Sequence, residues 1–262
     1  MFTAEQPWEF RMSLTSLVRT AAAAPAQGST VLPGGIGISS LTVYGSGSVD
    51  GHMGGSAHMH LACSEAYYVV AGRGTAQTLN TAGFRETTLR PGVVMHFEPG
   101  TIHRLVNDGD LQILVMMQNG GLPEAGDAVL TLPPEHLSDR ARYEAATALV
   151  EGDEHGCAMR RRDLSIMGFT ALREAFQARG AEALEPFFAS ATELVRPLIG
   201  QWRRRWQDGA RLLADTTGEQ LDELDLSDHS HLRAAGVHIQ PQPEVTGRLG
   251  MCGHLDVYAA SV

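Results

Sequence analysis

The sequence predicts a mainly β chain: a jelly-roll barrel with helical additions, the helices following the barrel. Three observations predict it. Between residues 31 and 132, short apolar runs rich in β-branched residues recur at roughly 8–12-residue intervals, divided by Gly, Pro, Asn and Asp. From His136 to Ala214 the apolar residues move to three- and four-residue steps, the period of a helix face. From Gly236 to Val262 alternation returns, with Pro241, Pro243, Gly247, Gly250 and Gly253 between the runs. The chain is therefore divided into an N-terminal arm (1–30), a barrel (31–132) and a helical appendage with a β-like tail (133–262).

In order, the arm carries Trp8 and Phe10 as apolar anchors and a short helix over 13–24, with Leu14, Leu17 and Val18 on one face. Strands are expected at 36–44, 57–61, 66–71, 74–79, 85–89, 93–98, 103–106 and 111–117, with a further one at 128–132. Gly72 to Gly74 and Asn107 to Asp110 read as breaks. Helices are expected over 138–149, capped by Ser138, and over 163–178, stopped by Gly180. A longer helical tract, 181–214, has Pro186 in its first turn and Pro197 as a kink or a split. Thr217, with Gln220 three residues on, reads as the cap of another short helix. The tail has two uses that the sequence leaves open: strands added to this barrel, or to a partner subunit.

The chemistry concentrates in one stretch. His58 and His60 are two apart, so on a strand both imidazoles share a face. Glu65 follows a short link containing Ala62, Cys63 and Ser64, and opens the β-prone run 66–71. Pro99-Gly100-Thr101 forms a turn, and His103 sits on the strand leaving it. Three imidazoles and a carboxylate on neighbouring strands form a four-ligand metal site. A mixed N/O set suits Fe, Mn, Co, Ni, Cu or Zn and leaves coordination positions open.

Written as H-x-H-x₄-E-x₆-G followed by G-x₆-P-G-T-x-H-x₃-N, this stretch resembles the two motifs of the cupin superfamily. His58, His60, Glu65 and Gly72 match the first motif; Gly92, Gly100, His103 and Asn107 match the second. Pro99 lies one residue late, with Glu98 in the usual proline place. The resemblance implies a double-stranded β-helix, with His58, His60, Glu65 and His103 holding one divalent transition metal per chain, Fe(II) favoured. It covers under half of the chain and is weak for the reaction, because cupins include dioxygenases, oxalate-acting enzymes, isomerases and non-catalytic binders. The first expectation is a dioxygenase-type oxidoreductase in which Glu65 and Tyr67 act on a small oxygenated substrate, with O₂ as co-substrate. The alternatives are a metal-dependent isomerase or lyase on a hydroxy-carbonyl compound, and a non-catalytic small-molecule binder. Strand alternation puts Tyr67 on the Glu65 face, and Leu105 and Asn107 on the His103 face; Gln77, Phe97 and Met116 complete the expected substrate-binding set.

Composition narrows the partners. The formal net charge is −10 and there is no basic tail, which argues against nucleic acid. All 20 basic residues are arginine, so lysine Schiff-base chemistry is excluded. No apolar run approaches a membrane span. Cys63, Cys157 and Cys252 are odd in number and far apart, which fits a reducing compartment, and a cytoplasmic location is expected. Cys63 reads as a passive thiol.

Outside this stretch, His229 and His231, with His238 and His254 beyond, lack the glutamate and third histidine of the first group and read as polar loop residues. Asp153-Glu154-His155 reads as a flexible loop. Arg160 to Arg162 and Arg203 to Arg205 splay around a helix and read as solvated faces or ion pairs. Trp202 and Trp206 read as core or interface packing. The apolar stripe of the tract and the open sheet edges predict a homodimer, with the stripe folding back on its own barrel as the competing outcome.

Overall fold

The structure is a computed structural model and describes residues 32–258. The arm, 1–30, with its expected helix, lies outside the described residues. Nine strands form one antiparallel ladder among the described residues: β1 (Gly37–Val43), β2 (His58–His60), β3 (Glu65–Asn80), β4 (Gly83–Leu89), β5 (Val94–Phe97), β6 (Ile102–Met117), β7 (Ala128–Leu130), β8 (Val245–Leu249) and β9 (Gly253–Val257).

The two expected breaks inside β3 and β6 are bulges within continuous strands. Each strand runs 16 residues, and their pairing shifts register around Val69, Ala71 and Arg73. Gly72 permits the bend: it has φ +73°, and a Cβ there would stand 2.1 Å from the Asp110 carbonyl oxygen. Asp110 answers with a left-handed φ of +48°. The ladder therefore has two halves. One is β5, the start of β3, the end of β6, then β1, β9 and β8; the other is β4, the end of β3, the start of β6, then β2 and β7.

The tail resolves onto the chain's own barrel. β9 lies antiparallel to β1, with Ser39 opposite Val257 and Val43 opposite Gly253, and β8 closes the hairpin. This covers a β1 edge that would otherwise present unpaired amides.

Seven helices lie between β7 and β8: α1 (Pro134–Leu137), α2 (Arg140–Thr147), α3 (Glu154–Arg179), α4 (Glu185–Val195), α5 (Ile199–Trp206), α6 (Leu212–Asp225) and α7 (Ser230–Arg233). The cap of α2 is Asp139, whose carboxylate accepts from the Arg142 amide at 2.9 Å, and not Ser138, whose hydroxyl donates to the Glu135 carbonyl. α3 starts nine residues before the expected 163, so Glu154 and His155 open a helix rather than sit in a loop. The early turns were hidden because a buried position of that face, Arg162, is polar. Pro197 splits the tract between α4 and α5. Thr217 lies inside α6, its hydroxyl bonded to the Leu213 carbonyl, and caps nothing.

The helical layer shares one core with the barrel. Phe169, Leu184, Phe187, Ala191, Leu194 and Trp202 join Leu41, Val69, Leu105 and Ile113 in one buried cluster. Each such Leu or Phe contributes about 1.5–3 kcal/mol by leaving water. α3 approaches closely at Gly168, where a Cβ would meet the Thr131 carbonyl oxygen at 1.9 Å. Beside it, Ser165 Oγ accepts from the Ala57 amide at 3.0 Å, and Thr131 Oγ1 donates to the Ser165 carbonyl at 2.8 Å. The helix thus fixes the backbone one residue before His58. Trp202 Nε1 donates to the Ala125 carbonyl, and Arg211 lies 5.5 Å over the Trp206 ring.

The arginine cluster on α3 is not a solvated face. Arg160 pairs with Asp153 at the surface, but Arg162 is 2% exposed and clamps the Ser46 and Gly47 carbonyls, while Arg161 holds the Leu249 and Gly250 carbonyls. The three do point to different places, as residues adjacent on a helix must. No helix among the described residues is long and apolar enough to cross a membrane.

Candidate metal centre

β2 is short and wholly buried, and alternation sends His58 and His60 to one side of it. His58 pairs across the ladder with His103 of β6. Glu65 comes from the other half of the ladder, opposite Phe97 and Met117. The four nevertheless converge, each with one ligand atom within 4.8 Å of every other. Closure of the two halves over one another brings the carboxylate to the imidazoles. All four side chains are buried.

Each imidazole is held from behind. His58 Nδ1 donates to the Ser56 carbonyl at 3.1 Å, and His103 Nδ1 to the Thr101 carbonyl at 3.0 Å. His60 Nδ1 donates to Asp127 Oδ2 at 3.0 Å. Holding Nδ1 protonated fixes the tautomer and leaves each Nε2 lone pair facing inward. Asp127 is fully buried, and its other oxygen accepts from the Ala62 amide at 2.7 Å. The turn at Pro99-Gly100 is tied to the same strand, with the Gly100 amide donating to the His60 carbonyl at 2.9 Å.

Two inward atoms have no hydrogen-bond partner: Glu65 Oε2 and His103 Nε2 lie 3.0 Å apart yet are not aligned to bond each other. Orphaned buried polar atoms of this kind are rare without a third group between them. Their donor set, three nitrogens and one carboxylate oxygen, fits a divalent transition metal. Burial raises the Glu65 carboxyl, but His103, His60 and His58 outweigh it and hold it at about 2. Burial pushes His58 well below its ordinary value, with His103 and His60 adding to the effect. For His60 burial also acts downward, but the Asp127 hydrogen bond and the Glu65 charge outweigh it and raise the group. The set is thus a carboxylate beside an imidazole kept neutral, the forms that bind metal.

Three of the four, His58, His60 and Glu65, open onto a cavity of about 240 Å³ whose other walls include Tyr67, Val115 and Met117 of the barrel and Cys252, Leu255 and Val257 of the tail. Tyr67 is 1% exposed; burial and then Glu65 push its phenol well above the usual range, so it stays protonated.

The remaining expected substrate contacts lie elsewhere. Met116 faces outward, and its neighbours Val115 and Met117 line the cavity. Asn107 is consumed by the bend: its amide donates to the Val43 carbonyl, and its oxygen accepts from the Gly109 and Leu111 amides. Leu105 is core. Gln77 donates to Glu86 at 2.8 Å. Phe97 packs behind the site, its ring 4.2 Å from that of His103 and 5.3 Å from that of Tyr67. Sequence reasoning missed Asp127, which follows a Gly-rich loop with no local pattern to single it out. It also missed the tail's share of the wall.

The weaker histidines form no second centre. The group at His58 is the one cluster of potential ligands among the described residues. His231 bonds Glu223 at 2.9 Å, His229 bonds Arg233, and His254 stacks edge-on against Tyr44. Cys63 is buried, and burial followed by Asp127 pushes its thiol far up, which makes it inert.

Residues 49–117 match the family model described as a cupin domain. No curated protein matches the chain. Matching solved structures include the Drosophila melanogaster CENP-C cupin domain, 17% identical over 31% of this chain and 57% of that one, TM-score 0.25. A predicted oxalate decarboxylase from Thermotoga maritima is 19% identical over 32% and 64%, TM-score 0.24. The capsular polysaccharide assembling protein CapF from Staphylococcus aureus is 17% identical over 37% and 28%, TM-score 0.29. The chain spans less than two thirds of each of these structures, and likenesses of this size transfer no activity. Residues 49–117, the stretch that matches the cupin model, supply all four converging side chains.

Proposed function

We propose that this protein is a metal-dependent cupin enzyme, a dioxygenase-type oxidoreductase that takes one divalent metal, Fe(II) by preference, and a small oxygenated substrate into the barrel cavity. The observation that carries the reading is the convergence of four buried donor atoms within 4.8 Å, two of them without hydrogen-bond partners. When bound, the metal supplies Lewis acidity and, as iron, electron exchange with dioxygen.

The chain's own residues do the rest. His58, His60 and His103 turn their Nε2 atoms inward, their Nδ1 atoms fixed by Ser56, Asp127 and Thr101. Glu65 adds a negative charge beside the imidazoles that draws a cation in. His58, His60, Glu65 and His103 would hold the metal, and four protein donors would leave it room to polarise a substrate oxygen. The Tyr67 phenol, held protonated, donates to a substrate oxygen as negative charge develops there. Val115, Met117 and Leu255 exclude bulk water.

The test is elemental analysis of the purified protein, then anaerobic loading with Fe(II) and an oxygen electrode with small hydroxy and oxo acids. About one metal per chain and substrate-dependent oxygen uptake are expected. A protein that retains no metal overturns the whole reading. A metal-loaded protein that converts substrate without consuming oxygen overturns the dioxygenase part and favours an isomerase or lyase.

A further inference from the structure

The cavity has a second kind of wall, and it comes from outside the cupin domain. Arg161 of α3 and Arg248 of β8 both line it. Arg161 is committed: its guanidinium donates to the Gly250 carbonyl at 2.9 Å, the Leu249 carbonyl at 3.4 Å and the Thr147 carbonyl at 3.3 Å. Those bonds hold the β8–β9 hairpin against α3. Arg248, one residue before that anchor, is exposed at the rim and has neither ion pair nor side-chain hydrogen bond among the described residues.

The charge of the cavity sharpens this. Glu65, Glu124 and Asp127 stand on the wall or directly behind it, against Arg161 and Arg248. These five side chains leave one negative charge, and a divalent cation turns that into one positive charge. A site with an uncompensated positive charge favours an anion over a neutral ligand. The planar guanidinium of Arg248 matches the two oxygens of a carboxylate.

We propose that Arg248 binds a carboxylate group of the substrate, so that the metal takes one end of a small organic acid and the tail hairpin takes the other, with Arg161 as the positioning residue that fixes the hairpin. The proposal rests on the metal-centre reading above and adds the substrate class to it. It also gives residues 133–262 a role: they supply selectivity that the cupin domain lacks.

The experiment uses the full chain loaded with Zn(II), its stoichiometry checked by elemental analysis. Wild type, Arg248→Ala, Arg248→Lys and Arg203→Ala are titrated calorimetrically with malonate, pyruvate and the neutral malonamide. At least one of the two acids binds wild type and Arg203→Ala alike, Arg248→Ala weakens it about tenfold, Arg248→Lys recovers part of that, and malonamide does not bind. Equal affinity in wild type and Arg248→Ala overturns the proposal. So does malonamide binding as tightly as the acids, or an absence of acid binding to metal-loaded wild type. The same series on metal-free protein separates the two readings. An Arg248-dependent acid affinity that persists when zinc is not retained sustains the anion site and removes the metal centre. Retained zinc with no Arg248 dependence does the reverse.

Discussion

Replacing Asp127 by asparagine tests how the centre is held, because the change keeps shape and removes only a charge and an acceptor. Asp127 uses both oxygens: one accepts from His60 Nδ1 at 3.0 Å, the other from the Ala62 amide at 2.7 Å. An amide has one acceptor. If its oxygen stays on Ala62, its NH₂ faces His60 Nδ1, which must then accept, so the proton moves to Nε2 and that nitrogen can no longer bind metal. If its oxygen turns to His60, two donors meet at Ala62 and a buried N–H is orphaned at a cost of about 1–3 kcal/mol. Metal affinity is expected to fall about 10–100-fold, or roughly 1.4–2.7 kcal/mol, with secondary structure kept. The assay is competitive titration of Zn(II) against a chromophoric chelator, in a double-mutant cycle with His60→Ala. Because Asp127 acts through His60, the asparagine should cost nothing further in the His60→Ala background. Additive losses, or wild-type affinity in Asp127→Asn, would refute the reasoning.

Other outcomes are equally checkable. His58→Ala or His103→Ala should remove most bound metal while circular dichroism and cooperative unfolding persist, since the apolar strands supply the core; metal content equal to wild type would refute the ligand assignment. His229→Ala with His231→Ala should leave stoichiometry unchanged, because those rings already bond Arg233 and Glu223; loss of a metal per chain would reveal a second site. Arg104 is 1% exposed and ion-paired to Asp50, whose carboxyl burial raises but whose hydrogen bonds from Arg104 and Ser48 bring down to about 2. A depressed folded-state value means stability present above the ordinary 3.8 and lost as pH falls toward 2, so Asp50→Asn should flatten the acid limb of a pH series of urea melts and destabilise neutral protein by about 1–2 kcal/mol, the solvent-exposed side of the pair keeping the effect small; an unchanged acid limb would refute this. We propose a homodimer bridged by α6, whose Leu221 and Leu224 are 63% and 48% exposed, rather than by the tail, which is already paired to β1; a monomer mass by light scattering at micromolar concentration would sink it.

Some of this protein was written locally in its sequence. Alternation over three residues puts His58 and His60 on one face whatever the rest of the chain does, and Glu65 opens its strand where the apolar run begins. Pro186, Pro197 and Gly180 punctuate the helices where their backbone chemistry requires. The tertiary structure decided what depends on distant partners. Whether Gly72 ends a strand or bends one was settled by the Asp110 carbonyl beside it. The bulges set the phase of β6, and one residue of phase exchanges Met116 for Val115 and Met117 in the cavity. Asp127 meets His60 across 67 residues, and Arg161 meets Gly250 across 89. Neither pairing leaves a periodic trace, because each uses a single side chain at a single point. The tail's place was open for the same reason: an alternating strand fits any free edge of matching twist, and only closure of this barrel left β1 waiting for it.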